Sequence, residues 1–349
     1  MFMDQLCTVI KPKALKKGDT IGIFTPSWPA HLILRNKYQH ALSQIKKLGF
    51  NYTQGSLTKS EISGGYRTDS PEKRAQEFME LIRDDKVSCL IATIGGWNSS
   101  SLIPYLDFDE IRESRKIICG YSDITSLQLA ILKYSNLSTL YGPSIVPIFG
   151  AYPEIFPFAW KSFFNLASGG MTEAVLSPPE EYSTEFIDAT KTDWQERERK
   201  RDFQKNEGCR ILNEGSASGR LIVVNLETLL ANAGTSSFPN LENTILVLEE
   251  ESARFSIQER SFTQLSRMGV FDQISALVIS KPFSYYPEGS KSTYEELIME
   301  LVGKRAYPII SNFDCGHTFP SLSLPIGTLA SISASKNEIR FTLDESFVN

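Results

Sequence analysis

Between Asp19 and Ser135 the chain alternates short apolar runs with stretches of helical periodicity. A chain written this way is restricted to a parallel sheet covered by helices. The run DTIGIFT ends at Pro26-Ser27 and reads as a buried strand followed by a turn. From Leu32 to Leu48 the residues Leu34, Tyr38, Leu42, Ile45 and Leu48 share one helical face. Ser70-Pro71 is an N-cap with proline at the first helical position, opening a helix that carries Ala75, Phe78, Met79 and Ile82. CLIATIGG is a strand running into a glycine turn, and a short helix follows from about Ser100. KIICGYS is the next strand and DITSLQLAILKYS the next helix. In an α/β sheet of this kind the ligand site lies beyond the carboxyl ends of the strands.

The pattern changes after Pro147. PIFGAYPEIFPF, rich in proline and aromatics, leads to a helix near Trp160. Residues 178 to 208 are polar and heavily charged, and two readings stand open: a solvated linker, or a loop that covers substrate. From Cys209 short strands return in RILNEG, GRLIVVN, TILVLEEE, ALVISK and YPIISNF, with a terminal hairpin around Lys336-Asn337. Helices between Ser256 and Met268 and between Ser292 and Lys304 interrupt them. The expected division is a first domain over 1–170 and a connecting loop over 171–210. A second domain of mixed α/β type follows over 211–349.

Bulk properties exclude several classes. With 349 residues, 41% hydrophobic and 22% charged, the chain suits a folded two-domain protein rather than a disordered one. A net charge of -5 argues against a nucleic-acid polymer or anionic membrane as partner, since both need a basic face. No run approaches the length of a membrane span, and the N-terminus lacks the apolar core of a signal peptide. Five cysteines, an odd number without metal-type spacing, point to a reduced cytoplasmic setting.

Histidine is scarce: His31, His40 and His317 only. A serine or cysteine acyl-transfer enzyme needs a base that titrates near working pH. His40 falls on an amphipathic helix and His31 at a helix start. His317 instead lies in DCGHTFPSLSLPIG, a loop that directly follows a strand, where function concentrates. Ser122 stands between a strand and a helix, a turn that exposes a hydroxyl and aims a helix start at a bound carbonyl. The second glycine of the usual G-x-S-x-G elbow is replaced by Ile124, and an ordinary N-cap is the alternative. The backbone N–H of Asp123 points where an oxyanion would form. Gly95-Gly96 ends a neighbouring strand and suits a second oxyanion donor or, more plainly, a tight turn. In the run Glu249-Glu250-Glu251, Glu249 is the first polar residue after an apolar strand; a solvated acidic cap is the alternative. Cys119 is the only cysteine near the turn, and strand alternation directs it away from Ser122, which leaves little room for a cysteine nucleophile.

These residues lie in strings that resemble the LD-carboxypeptidase family of serine peptidases, including its microcin C immunity branch, over about residues 12 to 343. The strings are IGIFTPS, YRTDSPEKRAQEFMELIRD, ATIGGWNS, ICGYSDITSLQLAI, TLYGPS, ILVLEEESARFSIQERSFTQLSRMGVFD and DCGHTFPSLSLPIG. The resemblance implies a flavodoxin-like parallel-sheet domain followed by a mixed β-rich, swivelling-barrel-like domain. It makes Ser122 the nucleophile, His317 the base and Glu249 its acid partner, with Gly95, Gly96 and Asp123 supplying oxyanion amides. It implies no metal or organic cofactor, and a homodimer.

Two substrates follow from two branches. GGWNS and the charged loop with Trp194 resemble the immunity branch, which implies cleavage of an aminoacyl-nucleotide amide. Trp97, Asn98, Trp194 and Phe283 are then candidate substrate contacts, with Trp194 stacking on a purine or simply packing its own loop. The other branch implies a murein tetrapeptide, cut in cell-wall recycling. Val224, where the family has a glycine pair before the asparagine, and Phe283 depart from the family pattern. They keep a third reading open, a ligand-binding protein without catalysis.

Overall fold

The computed structural model describes residues 8–62, 64–170, 175–336 and 338–349. Asn337 of the terminal turn, Cys7 and the expected boundary at 171 lie outside them. The first five strands are β1 (Thr20–Phe24), β2 (Asn51–Gln54), β3 (Val87–Ala92), β4 (Ile117–Gly120) and β5 (Thr139–Tyr141). They lie parallel in the order 2-1-3-4-5. Apolar side chains cover both faces of this sheet: Ile21, Ile23, Phe24, Leu90 and Ile118 are fully buried. Each such side chain contributes about 1.5–3 kcal/mol, which is why the strands read as apolar runs.

Local signals act where expected. Ser70 Oγ accepts from Lys73 N (3.3 Å), and Pro71 opens the helix Pro71–Arg83. The periodic stretch after Leu32 is a short helix, Ala30–Ile33, then a long one, Arg35–Lys47, broken at Leu34. The helix after β4 is composite, beginning with a tight turn at Ser122–Ile124 and continuing as Thr125–Ala130.

The second sheet contains β6 (Arg210–Asn213), β7 (Gly215–Asn225), β8 (Thr244–Glu249), β9 (Ala276–Ser280), β10 (Ile309–Phe313), β12 (Leu329–Ser335) and β13 (Glu338–Leu343). Its order is 13-12-7-8-9-10-6. Strands β7 to β10 are parallel, and β6, β12 and β13 add antiparallel margins. Only Glu214 separates β6 from β7, yet β6 pairs with β10 while β7 pairs with β8 and β12. One bent run of chain therefore joins the edge strand β6 to the interior strand β7, four places away, and curls the sheet.

The two sheets are joined. Strand β11 (Leu324–Ile326) comes from the C-terminal part yet pairs antiparallel with β5 in the first sheet, Leu324 opposite Tyr141. Asn225 N donates to Thr125 Oγ1 (3.1 Å) and Ser138 Oγ to the Ile326 carbonyl (2.7 Å). Both parallel sets thus present their carboxyl ends to a common seam. Among the described residues no helix is long and apolar enough to cross a membrane.

The charged segment after Pro178 is not a solvated linker. Glu198 is buried and holds Lys37 Nζ (3.1 Å) and Arg201 Nη2 (2.9 Å), all three with side chains nearly excluded from solvent. Arg201 lies over the Phe319 ring at 4.5 Å, and Ser183 and Phe319 exchange two backbone hydrogen bonds of 2.7 and 3.0 Å. At the far end Asn206 bonds Lys281 Nζ (2.9 Å) and Asp314 Oδ2 (2.8 Å). The segment is a strap fastened to both domains. Replacing Glu198 by alanine strands two buried cations and is expected to cost about 3–5 kcal/mol, read as a lowered urea-unfolding midpoint at unchanged slope.

Candidate active site

Strand β4 ends at Gly120, Tyr121 stays extended, and Ser122 adopts φ +64 before the helix begins. A left-handed conformation at a residue with a Cβ costs about 1–3 kcal/mol and persists only where neighbours enforce it. Here Ser122 N donates to Tyr141 Oη (3.1 Å). Ser122 is partly buried, and among the described residues its Oγ makes no hydrogen bond.

The glycine turn stands against this corner. A Cβ on Gly95 would meet Ser122 Cβ at 3.1 Å and Asp123 N at 3.2 Å; one on Gly96 would meet Ser27 Oγ at 2.3 Å. Only glycine lets the backbone come so close. Among the described residues the N–H groups of Gly95 and Gly96 have no hydrogen-bond partner. The next amides are committed: Trp97 N and Asn98 N donate to Ser27 Oγ (3.1 and 3.2 Å), and Asn98 N and Ser99 N to Asp123 Oδ2 (3.1 and 2.9 Å). The Asp123 carboxylate is therefore a clip between the glycine turn and the helix start. Burial raises its proton affinity, opposed by these donors. Arg74, fully buried, braces the same turn through Asn98 Oδ1 (2.6 Å) and Ser101 Oγ (2.9 Å).

Glu249 closes β8 and is 0% exposed. Its Oε1 bonds His317 Nδ1; its Oε2 accepts from Tyr141 Oη (2.6 Å) and Asn225 Nδ2 (3.3 Å). Gly316, at φ +95, makes the His317 contact feasible, because a Cβ there would stand 2.1 Å from Glu249 Cγ. The His317 side chain is 15% exposed and meets the Tyr121 ring edge-to-face, centroids 5.0 Å apart. Burial alone would lower its proton affinity, but the Glu249 charge and hydrogen bond, with Glu251 and Glu250, push the imidazole up to about 9. Glu250 is buried too and is pushed up to about 8 by burial and by Glu249.

The structure thus brings Glu249 to His317, and Gly95 to Ser122 and Asp123, while Ser122 and His317 share Tyr121 as neighbour without a hydrogen bond between them. Other candidates fall elsewhere. Trp194 is 3% exposed and packed against Tyr152 and His40. Asn98 has its Oδ1 taken by Arg74. Trp97 is 81% exposed beside the glycine turn, and Phe283 is half-buried edge-to-face on Phe319. His31 is buried and pushed down to about 4 by burial, and His40 bonds the Ala151 carbonyl (3.1 Å). Burial pushes the Cys119 thiol up, against any thiolate role. Sequence reasoning passed over Tyr141 and Arg74; the position of Tyr141 at the carboxyl end of an apolar strand was the available signal. Among the described residues no group of three or more His, Cys, Asp or Glu side chains is arranged to hold a metal ion.

With only three histidines, imidazole titration by NMR resolves this geometry. His317 is expected to titrate near 9 and His31 near 4. In Glu249→Gln the His317 midpoint should fall, because burial then acts with less opposition; an unmoved midpoint would contradict the pairing.

Two family models match the chain: the LD-carboxypeptidase N-terminal domain over residues 21–142 and the LD-carboxypeptidase C-terminal domain over 218–332. The microcin C7 self-immunity protein MccF of Escherichia coli is 35% identical over 335 residues, covering 94% of each chain. A solved structure of that immunity protein in complex with aspartyl sulfamoyl adenosine superposes with a TM-score of 0.90 at 32% identity, over 97% of this chain and 100% of the other. A Bacillus subtilis protein named "Probable murein peptide carboxypeptidase" is 26% identical, over 93% of this chain and 92% of its own. The matched spans cover the glycine turn and the Ser122 corner in the first half and Glu249 and His317 in the second, and the chain belongs to the LD-carboxypeptidase family.

Proposed function

We propose that this peptidase-family protein is a Ser-His-Glu amidase acting on an aminoacyl-nucleotide or similarly small peptide conjugate. The observation that carries the reading is the buried Glu249–His317 pair, set across the seam from a serine in a strained strand-to-helix turn. In this reading His317 Nε2 takes the Ser122 proton as Oγ attacks the carbonyl carbon. Hydrogen bonds between catalytic groups are often open in unliganded enzymes and tighten with substrate, which accommodates the free Ser122 hydroxyl. Glu249 holds the Nδ1–H tautomer and stabilises the imidazolium. The N–H groups of Gly95 or Gly96 and of Asp123 receive the oxyanion. His317 then returns its proton to the leaving nitrogen, and water, deprotonated by the same imidazole, releases the acyl group.

The likeness to the immunity protein and the exposed Trp97 beside the glycine turn support an aminoacyl-nucleotide over a muropeptide. A cytoplasmic setting and a homodimer belong to the same proposal. Incubation with an aminoacyl sulfamoyl adenosine and, separately, with murein tetrapeptide decides between substrates. Cleavage of the tetrapeptide alone would overturn the preference, and cleavage of neither would favour a binding protein. Ser122→Ala should lower kcat by roughly 10⁴- to 10⁶-fold at an unchanged unfolding midpoint. Because the base must be neutral and His317 is pushed up to about 9, kcat/KM should keep rising with pH beyond 7 and level off near that value.

A further inference from the structure

Tyr141 ends β5 with its ring fully buried. A phenylalanine would fill that space equally well, so the hydroxyl asks for its own explanation. It donates to Glu249 Oε2 at 2.6 Å and accepts from Ser122 N at 3.1 Å. A phenol has one proton to give, and the distances leave it committed to the carboxylate. The hydroxyl thereby joins the backbone of the serine corner, from the first domain, to the carboxylate that holds His317, from the second. No other described side chain bonds both. Asn225 Nδ2 reaches the same Oε2 from 3.3 Å but has no bond to Ser122.

Resting on the hydrolase reading above, we infer that Tyr141 is a positioning residue that sets the nucleophile and the acid–base pair relative to each other, and that it tempers the charge His317 feels. Two physical consequences follow. The left-handed conformation of Ser122 is held because its amide has this one partner on the adjacent strand of its own sheet; without it the corner is free to relax and the hydroxyl loses its aim. The phenol also draws on the Glu249 charge through a short charge-assisted bond. Removing the donor leaves that charge less engaged and stabilises the imidazolium more, so the base should become neutral only at higher pH.

The test is Tyr141→Phe in the full-length chain. Loss of a hydrogen bond to a charged group corresponds to roughly 10- to 100-fold, expected in kcat with KM near the wild-type value. The ascending limb of the pH profile and the NMR midpoint of His317 should both move upward. Site-specific replacement of Tyr141 by a fluorotyrosine, a stronger donor of the same shape, should move them downward and keeps the test open should Tyr141→Phe not fold. Wild-type kcat in Tyr141→Phe overturns the inference, as does lost activity with a stationary His317 midpoint in both variants, which is what a purely packing role produces. The NMR midpoint needs no turnover, so failure of the inference is separable from failure of the hydrolase reading, which shows instead as retained cleavage in Ser122→Ala.

Discussion

A carboxylate withdrawn from water must be compensated on every side, and Glu249 is compensated from both halves of the molecule. Left alone, an ionised group at zero exposure is unfavourable by many kcal/mol. Here His317 and Asn225 from the second domain and Tyr141 from the first supply its partners. The need of one buried charge therefore draws the carboxyl ends of two separate parallel sheets together. Gly316 allows the closest of these contacts, since any side chain there would occupy the carboxylate's own space. The site is assembled by what Glu249 requires as much as by the fold that carries it.

Around that charge the remaining parts are held by polar clips rather than by apolar packing alone. Asp123 gathers the amides of Asn98 and Ser99, Ser27 gathers those of Trp97 and Asn98, and Arg74 braces the turn from beneath. Among the described residues these bonds leave the two preceding glycine amides unpaired beside Ser122. The strap after Pro178 belongs to the same construction. Glu198 between Lys37 and Arg201 fastens it to the first domain, and the Ser183–Phe319 pairing fastens it two residues beyond His317.

Much of this was legible in the chain, for reasons that can be named. The first sheet was readable because strands buried on both faces leave continuous apolar runs, as in KIICGYS, and because Ser70-Pro71 is a helix start by local chemistry alone. Ser122 and His317 stood out as polar residues in short turns after such strands. The strap was misread as open to a linker because its composition is that of a solvated segment. Glu198, Lys37 and Arg201 are ordinary surface types until their partners, 161 and 3 residues away, neutralise them. The packing partners of Trp194 were hidden for the same reason: an aromatic in a charged loop does not disclose that Tyr152 and His40 are waiting for it.

By itself the sequence determined the periodicities, the turn chemistry and the residue types capable of acyl transfer, since these depend on neighbours within a few positions. The tertiary structure alone decided which of them meet. Tyr141 and Glu249 are 108 residues apart, and His317 is a further 68 along the chain. Their contact rests on β11 crossing to the first sheet and on the curl that β6 and β7 impose on the second. Long-range pairing of that kind follows from the packing of whole elements, which no local pattern encodes.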